Sequence, residues 1–367
     1  MLSLRPSTMP GRQKYTIVQE LGAGGMGRVY KGVLVGQAGF ERPIVVKKLR
    51  DGQDPAHVKL FVDEAARYAV LDHDNIGRMY DFDRVSGELC IILEWIDGWS
   101  LVEFLERHRE LRRMPDVDLS VFIVSRVCRA LQYVFERAAI VHRDVSPSNI
   151  MMTREGTVKL IDFGIATRSG TKDSSLTGKP AYMAPEMVLD LRADSRSDLF
   201  SLGAVFFEML TLERLFKGQT PAEILEQVLS GRVPSPREQN PGLPEGVMAI
   251  LRKALQRDPA LRYSSAGEMG QACEHHLYDE GYGPTNLALK RYLSGLFPAE
   301  AHHSDEMPSL AADLIPVEEP VKENPLDLTP IAPLVRPPSA VPSAAGPIVP
   351  RSRTSKPTAG RPARRPR

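Results

Sequence analysis

Two carboxylates, an amide and a lysine carry the chemistry that this chain of 367 residues could perform. Residues 142–149 read His142-Arg143-Asp144-Val145-Ser146-Pro147-Ser148-Asn149, and Asp162 follows Asn149 by 13 positions. Asn149 and Asp162 offer hard oxygen atoms, the donors that Mg2+ prefers. Far upstream lies a glycine-rich run, Leu21-Gly22-Ala23-Gly24-Gly25-Met26-Gly27-Arg28-Val29. Its glycines let the backbone approach a triphosphate with no Cβ in the way. A lone G-x-G-x-x-G is a weak signal, because dinucleotide-binding folds use it too. Here Val29 continues as a strand rather than a helix, and a second strand ending in Lys47 follows. Together these residues suit the handling of nucleotide phosphates with a divalent ion.

The order and spacing of the motifs resemble the eukaryotic-type (Hanks-type) serine/threonine protein kinase family over about 260 residues. The run at 142–149 matches H-R-D-x-x-x-x-N, and Ile44-Val45-Val46-Lys47 resembles the V-A-I-K strand. Asp162-Phe163-Gly164 and Ala184-Pro185-Glu186 complete the set. The pair H-R-D-V-S-P-x-N and G-K-x-A-Y-M looks like bacterial members of the family, myxobacterial ones in particular. The resemblance implies an α+β, bilobal protein kinase fold, with a small β-rich N-lobe carrying the C-helix and a larger helical C-lobe. It implies ATP and Mg2+, with Mn2+ an alternative, as cofactors. Asp144 would accept the proton of a substrate hydroxyl, Lys47 would hold the phosphates, and Asn149 and Asp162 would hold the metal. Val45 and Met151 would enclose adenine, while the backbone C=O of Glu94 and N–H of Ile96 would meet its edge.

The elements that must position these groups are also legible. Residues 15–20 alternate as a strand does. Lys47 and Lys48 compete for the phosphates. Side chains two apart share a strand face, so Val45 at the adenine favours Lys47 and turns Lys48 to the solvated face. Residues 61–68 have helical character, and Glu64 is the expected partner of Lys47; Asp63 lies about 100° round the helix and faces elsewhere. Residues 89–94 read as a buried strand entering the hinge, with Leu93 gating the space behind adenine. A helix is expected over about residues 118–137. By resemblance Arg262 pairs with Glu186, and Asp198 braces the loop at 142–149. Phe200 stands where the family usually has Trp.

Two positions depart from the family. Most serine/threonine kinases carry a Lys at Ser146, aimed at the transferring phosphate. In Leu176-Thr177-Gly178-Lys179-Pro180-Ala181-Tyr182-Met183, Lys179 occupies the place of a Thr. The hydroxyl and the ammonium have exchanged places, and Lys179 is expected to supply the missing charge. Two unit charges 4 Å apart interact by about 4 kcal/mol at an effective dielectric near 20. The bland alternative is a surface Lys179 and a Ser146 that caps a turn.

Pro147 follows the serine/threonine pattern rather than the tyrosine one. Arg143, before Asp144, is suited to pair with a phosphate on the activation segment, for which Thr171, Ser174, Ser175 and Thr177 are candidates. A pseudokinase would show damage at Lys47, Asp144, Asn149 or Asp162, and all four are intact. A small-molecule phosphotransferase would lack Ala184-Pro185-Glu186 and Arg262.

A net charge of +1 gives no argument for nucleic acid or membrane as partner; protein substrates are the expected partners. Cys90, Cys128 and Cys273 form no metal or redox spacing and read as reduced thiols of a cytoplasmic protein. No run approaches 18 apolar residues, and residues 1–14 lack the apolar segment of a signal peptide. Residues 1–14 are expected to be flexible. By the resemblance, residues 15–297 are expected to form the kinase domain, its N-lobe about 15–94 and its C-lobe about 98–297. Residues 298–367 hold 15 of the 30 prolines and no Trp, Tyr or Phe. They read as a disordered tail, acidic and then basic, in which residues 333–338 or 361–367 could dock a partner.

Overall fold

A computed structural model of the chain describes residues 14–298, other than 24–26, 37–38, 50–54, 164–166, 169–177, 191–192 and 280. Residues 1–13 of the expected N-terminal segment 1–14, and residues 299–367 of the expected tail 298–367, lie outside them.

The N-terminal part is an antiparallel sheet of β1 (Tyr15–Ala23), β2 (Gly27–Val35), β3 (Glu41–Leu49), β4 (Met79–Val85) and β5 (Glu88–Glu94), in the order β1-β2-β3-β5-β4. Period-two alternation gives each strand two uses. On β3, Ile44 and Val46 pack with Tyr15, Val85, Cys90 and Ile92 on one face. Leu49 on the other face packs with Ile91 and with Phe61 and Ala65 of helix α1 (Pro55–Tyr68). Lys47 lies on that second face. The buried positions of α1 are Phe61, Glu64, Ala65 and Tyr68, the i, i+3, i+4, i+7 stripe of a helix packed on one side. Glu64 is thus carried inward on an apolar stripe, as the sequence predicts.

β5 leads through residues 95–97 into β6 (Gly98–Ser100) and α2 (Leu101–Leu111), which Ser100 and Glu103 start with a capping box. The C-terminal part is built around α3 (Val117–Ala138), one residue longer at each end than the sequence suggests. Asp116 caps its first turn and Ala139 closes it in the left-handed conformation. Next come β7 (Ile140–Val141), β8 (Ile150–Thr153), β9 (Val158–Leu160) and β10 (Thr167–Arg168). β6, β8 and β9 form a small sheet, and β10 pairs with β7. Then α4 (Pro185–Asp190) and α5 (Ser195–Thr211) follow. From Ser197 to its end α5 is buried all round, as a helix apolar on every face must be. α6 (Pro221–Ser230), α7 (Glu245–Ala254), α8 (Ala266–Tyr278) and α9 (Asn286–Leu296) complete the described elements. None of the described helices is long and apolar enough to cross a membrane.

α9 closes the back of this part. Leu289, Leu293 and Leu296 are buried, Phe297 stacks on Trp99 at 4.6 Å, and Tyr292 Oη bonds His108 Nε2 at 2.7 Å.

The β and helical parts are tied behind the cleft. Leu160 N donates to Asn75 O at 2.8 Å, Gly77 N to Leu160 O at 2.9 Å, and Asn75 Nδ2 to Val158 O at 2.8 Å. The segment leaving α1 is therefore stitched to β9, whose chain continues directly to Asp162.

Candidate active site

Lys47 sits mid-strand with its side chain 15% exposed. Its Nζ donates to Glu64 Oε1 at 2.6 Å and to Asp162 Oδ1 at 3.1 Å. Burial works to lower the pKa of this ammonium, but the carboxylates of Asp162 and Glu64 outweigh it and hold the pKa above its ordinary value. Burial pushes the Glu64 carboxyl up, against the pull of Lys47, and Glu64 Oε2 has no hydrogen-bond partner. Glu64 therefore depends on Lys47 for its charge. Lys48 does lie on the opposite face, as expected, but it is not simply solvated: it pairs with Glu88 of β5.

One contributor was not singled out from sequence. Tyr68 lies one helical turn beyond Glu64 on the same face of α1. Its hydroxyl accepts the backbone N–H of Asp162 at 2.7 Å, and its ring meets Phe163 edge-on at 5.0 Å. Asp162 adopts φ +62, left-handed for a residue that is not glycine. Such strain costs roughly 1–3 kcal/mol and persists only where neighbours over-determine it. Tyr68 is one such neighbour. Full burial holds its phenol well above the ordinary value, so the hydroxyl stays protonated. Phe163 in turn packs on His142 at 4.7 Å, and burial lowers the pKa of His142, keeping it neutral. The i+4 spacing from Glu64 was the available signal for Tyr68; its hydroxyl's target was not readable.

The loop carrying Asp144 hangs from α5. Asp198 Oδ2 and Oδ1 accept the backbone N–H groups of His142 and Arg143, each at 2.8 Å. Burial pushes the Asp198 carboxyl up to about 7 despite these bonds. On the loop, Asn149 Nδ2 donates to both Asp144 O and Asp144 Oδ2 at 2.8 Å. This fixes the amide's orientation and turns Asn149 Oδ1 away from Asp144. Lys179 Nζ donates to Asp144 Oδ2 at 2.8 Å and to Ser146 Oγ at 3.1 Å, and Lys179 N donates to Asp144 Oδ1 at 3.2 Å. The exchanged pair therefore meets at Asp144.

The remaining expected residues fall into two groups. Leu21, Gly22 and Ala23 end β1, while Gly27, Arg28 and Val29 begin β2; Val29 pairs with Lys47 across β2 and β3. Gly24, Gly25 and Met26 lie outside the described residues, as do Thr171, Ser174, Ser175 and Thr177. Val45 lies on the Lys47 face of β3, and Met151 lies on β8. Ile96 is buried in the connection from β5 to β6. Beyond its expected backbone contact, Glu94 has a side-chain role: Oε2 accepts from Lys159 Nζ and from Arg78 N, both at 3.0 Å. Lys159 also reaches Ile76 O at 3.3 Å, so one buried lysine joins the hinge to the segment leaving α1.

The tie expected between Glu186 and Arg262 is bidentate, at 2.7 and 2.8 Å, with the Arg262 side chain fully buried over the Phe200 ring at 4.9 Å. Phe200 thus takes a stacking position under a guanidinium, for which an aromatic face is enough.

A family model described as "Protein kinase domain" matches residues 15–278. The chain belongs to the protein kinase domain family. The chain is 32% identical over 311 residues to "Tyrosine-protein kinase MasK" of Myxococcus xanthus, covering 81% of this chain and 48% of that protein. "Probable serine/threonine-protein kinase SCO3848" of Streptomyces coelicolor is 34% identical over 319 residues, 83% of this chain and 45% of its own length. "Serine/threonine-protein kinase PrkC" of Bacillus subtilis is 33% identical over 262 residues, 70% of this chain and 39% of its own. The kinase chain thus spans about half or less of the curated relatives it matches. Its two-part architecture is the bilobal kinase fold, and the bacterial resemblance read from 142–149 and 178–183 agrees with these relatives.

Proposed function

We propose that the chain is an ATP- and Mg2+-dependent protein kinase that transfers the γ-phosphoryl group to serine and threonine hydroxyls of proteins in bacterial signalling. The observations that carry this are the two clusters a phosphoryl transfer needs: Lys47 bonded to both Glu64 and Asp162, and an Asp144 oriented by Asn149 on the loop 142–149. In the reaction, the acceptor oxygen bonds to the γ-phosphorus while the bond from phosphorus to the bridging oxygen breaks. The electron pair leaves with ADP, and the acceptor's proton passes to Asp144. Lys47 would hold the non-transferred phosphates; Val45, Met151, Glu94 and Ile96 would hold adenine.

Asn149 Oδ1 and the Asp162 carboxylate suit Mg2+, which takes few protein oxygens and completes its shell with phosphates and water. Bound there, Mg2+ would neutralise charge on the β- and γ-phosphates. We read Arg143 as the receiver of an autophosphorylated residue among Thr171, Ser174, Ser175 and Thr177. Three buried, free cysteines support a cytoplasmic setting.

Incorporation of labelled phosphate from ATP–Mg2+, compared with Asp144→Asn, tests the activity. No difference between the two sinks it and favours a nucleotide-binding pseudokinase. Acid hydrolysis of the labelled product tests the acceptor. Phosphoserine and phosphothreonine are expected, on Pro147 and on the names of two relatives. Phosphotyrosine alone, the chemistry in the MasK name, overturns that choice.

A further inference from the structure

Ser146 and Lys179 are each placed to do something ordinary, and neither does it. Ser146 is the N-cap of the turn Pro147–Asn149, where a serine oxygen usually accepts a backbone N–H. It makes no such bond, and its residue is fully buried. Its Oγ instead accepts from Lys179 Nζ at 3.1 Å and lies 3.3 Å from Ser148 Oγ, which donates to Asn149 Oδ1 at 3.3 Å. The Lys179 side chain is 44% exposed and has open water to extend into. It folds inward instead, and its ammonium bridges Asp144 Oδ2 and Ser146 Oγ. An isolated surface ion pair contributes too little to dictate that choice.

The backbone sets the approach. Gly178 has φ +106, and a Cβ there would lie 2.9 Å from Arg143 O. Only glycine lets the two segments pass this closely. The Lys179 N–H then bonds Asp144 Oδ1, so main chain and side chain of one residue grip both carboxylate oxygens.

We propose that Lys179 is a catalytic residue: its ammonium, steered by Ser146 Oγ, meets the transferring γ-phosphoryl group beside Asp144. The proposal rests on the kinase reading. Ser146 and Lys179 rebuild a lysine–hydroxyl pair next to the base, with the two chain positions exchanged. Charge builds on the γ-phosphoryl and bridging oxygens as the phosphorus–oxygen bond breaks. A cation fixed there stabilises the transition state more than the bound nucleotide. Lys179 enters from the segment that runs on to Tyr182 and Glu186 and bonds Asp144 and Ser146, whereas Lys47 bonds Glu64 and Asp162, so its loss acts on kcat rather than on nucleotide affinity.

The test measures labelled phosphate transfer and the affinity for a fluorescent ATP analogue. The four proteins are wild type, Lys179→Thr, the double exchange Ser146→Lys/Lys179→Thr, and Asp144→Asn. Lys179→Thr is expected to lower kcat by about 10²–10³, the usual effect of removing one preorganised electrostatic contact. Its analogue affinity should stay within about threefold, which also shows that the variant is folded. The double exchange is expected to recover most of the loss, because it restores the pair without restoring the residue. Recovery supports the proposal even if Lys179→Thr alone melts early, since a merely structural lysine is not replaced by one 33 positions away. An active wild type matched by Lys179→Thr overturns the proposal and leaves the kinase reading intact; so does a double exchange no better than Lys179→Thr. A wild type no better than Asp144→Asn overturns both.

Discussion

On one wall of the cleft, Lys47 stands in the middle of a strand, held by Glu64 from a helix and Asp162 from a loop, and shielded from water. On the other wall, Lys179 stands in a turn, half exposed, and both its partners come from the single loop 142–149. A cation buried in a sheet must offset desolvation, so it needs two carboxylates and a rigid frame. A cation at a turn keeps part of its hydration and needs only the correct entry angle, here supplied by Gly178. The first arrangement is written into a local pattern of residues. The second is written into two distant positions that make sense only together. It follows that a missing residue in one motif is informative only when the opposite wall is read as well.

The sharpest way to break this comparison is to remove the group between the two walls. Asp144→Asn is expected to lower phosphate transfer by about 10²–10⁴ while leaving the fold intact, as checked by radiolabel incorporation and circular dichroism. Next comes the frame beneath the turn-borne wall. Arg262→Ala leaves Glu186 without its buried bidentate partner, and urea denaturation should show a loss of about 3–5 kcal/mol. A loss under 1 kcal/mol would mean that the segment after Lys179 is held by other contacts.

The strand-borne wall is tested by Tyr68→Phe, which keeps the ring on Phe163 and removes the acceptor of the Asp162 N–H. Stability should drop by about 1–3 kcal/mol. Hydrogen exchange at the Asp162 amide should speed up, with no change at Lys179. Equal speeding on both walls would argue against their independence.

The smallest effect lies away from the cleft. Lys253 and the N–H and hydroxyl of Ser264 hold the half-exposed Glu268 carboxyl down at about 2. A depressed carboxyl contributes stability above its unfolded pKa of about 4.3 and loses it as pH falls toward 2. Glu268→Gln should therefore lower the melting temperature slightly at pH 7, and the gap to wild type should close between about pH 4 and 2. A gap that persists at pH 2 would assign the loss to packing rather than charge.

The legible parts were those in which a local period or fixed spacing carries the information. The stripe Phe61, Glu64, Ala65, Tyr68 announces both the helix and the direction of Glu64, and alternation along β3 separates Lys47 from Lys48. Other contacts depend on where two remote elements happen to pass. The hydroxyl of Tyr68 on Asp162, the Lys159 ammonium on Glu94 and the Glu88 partner of Lys48 are of this kind. No period in the chain marks them, because each is fixed by tertiary distance. The exchange of Ser146 and Lys179 lies between these cases: its residues were identifiable, while their meeting at Asp144 depended on the turn at Gly178.

Helix α9 gives the fold a boundary that the family match does not mark. A protein shortened at residue 278, where that match ends, would lose α9 and the Phe297 ring. It would leave the Trp99 face bare and His108 Nε2 without the Tyr292 hydroxyl, immediately below the hinge. Such a fragment would carry an adhesive apolar face and a loosened nucleotide pocket, so preparations of the catalytic unit should extend through residue 298.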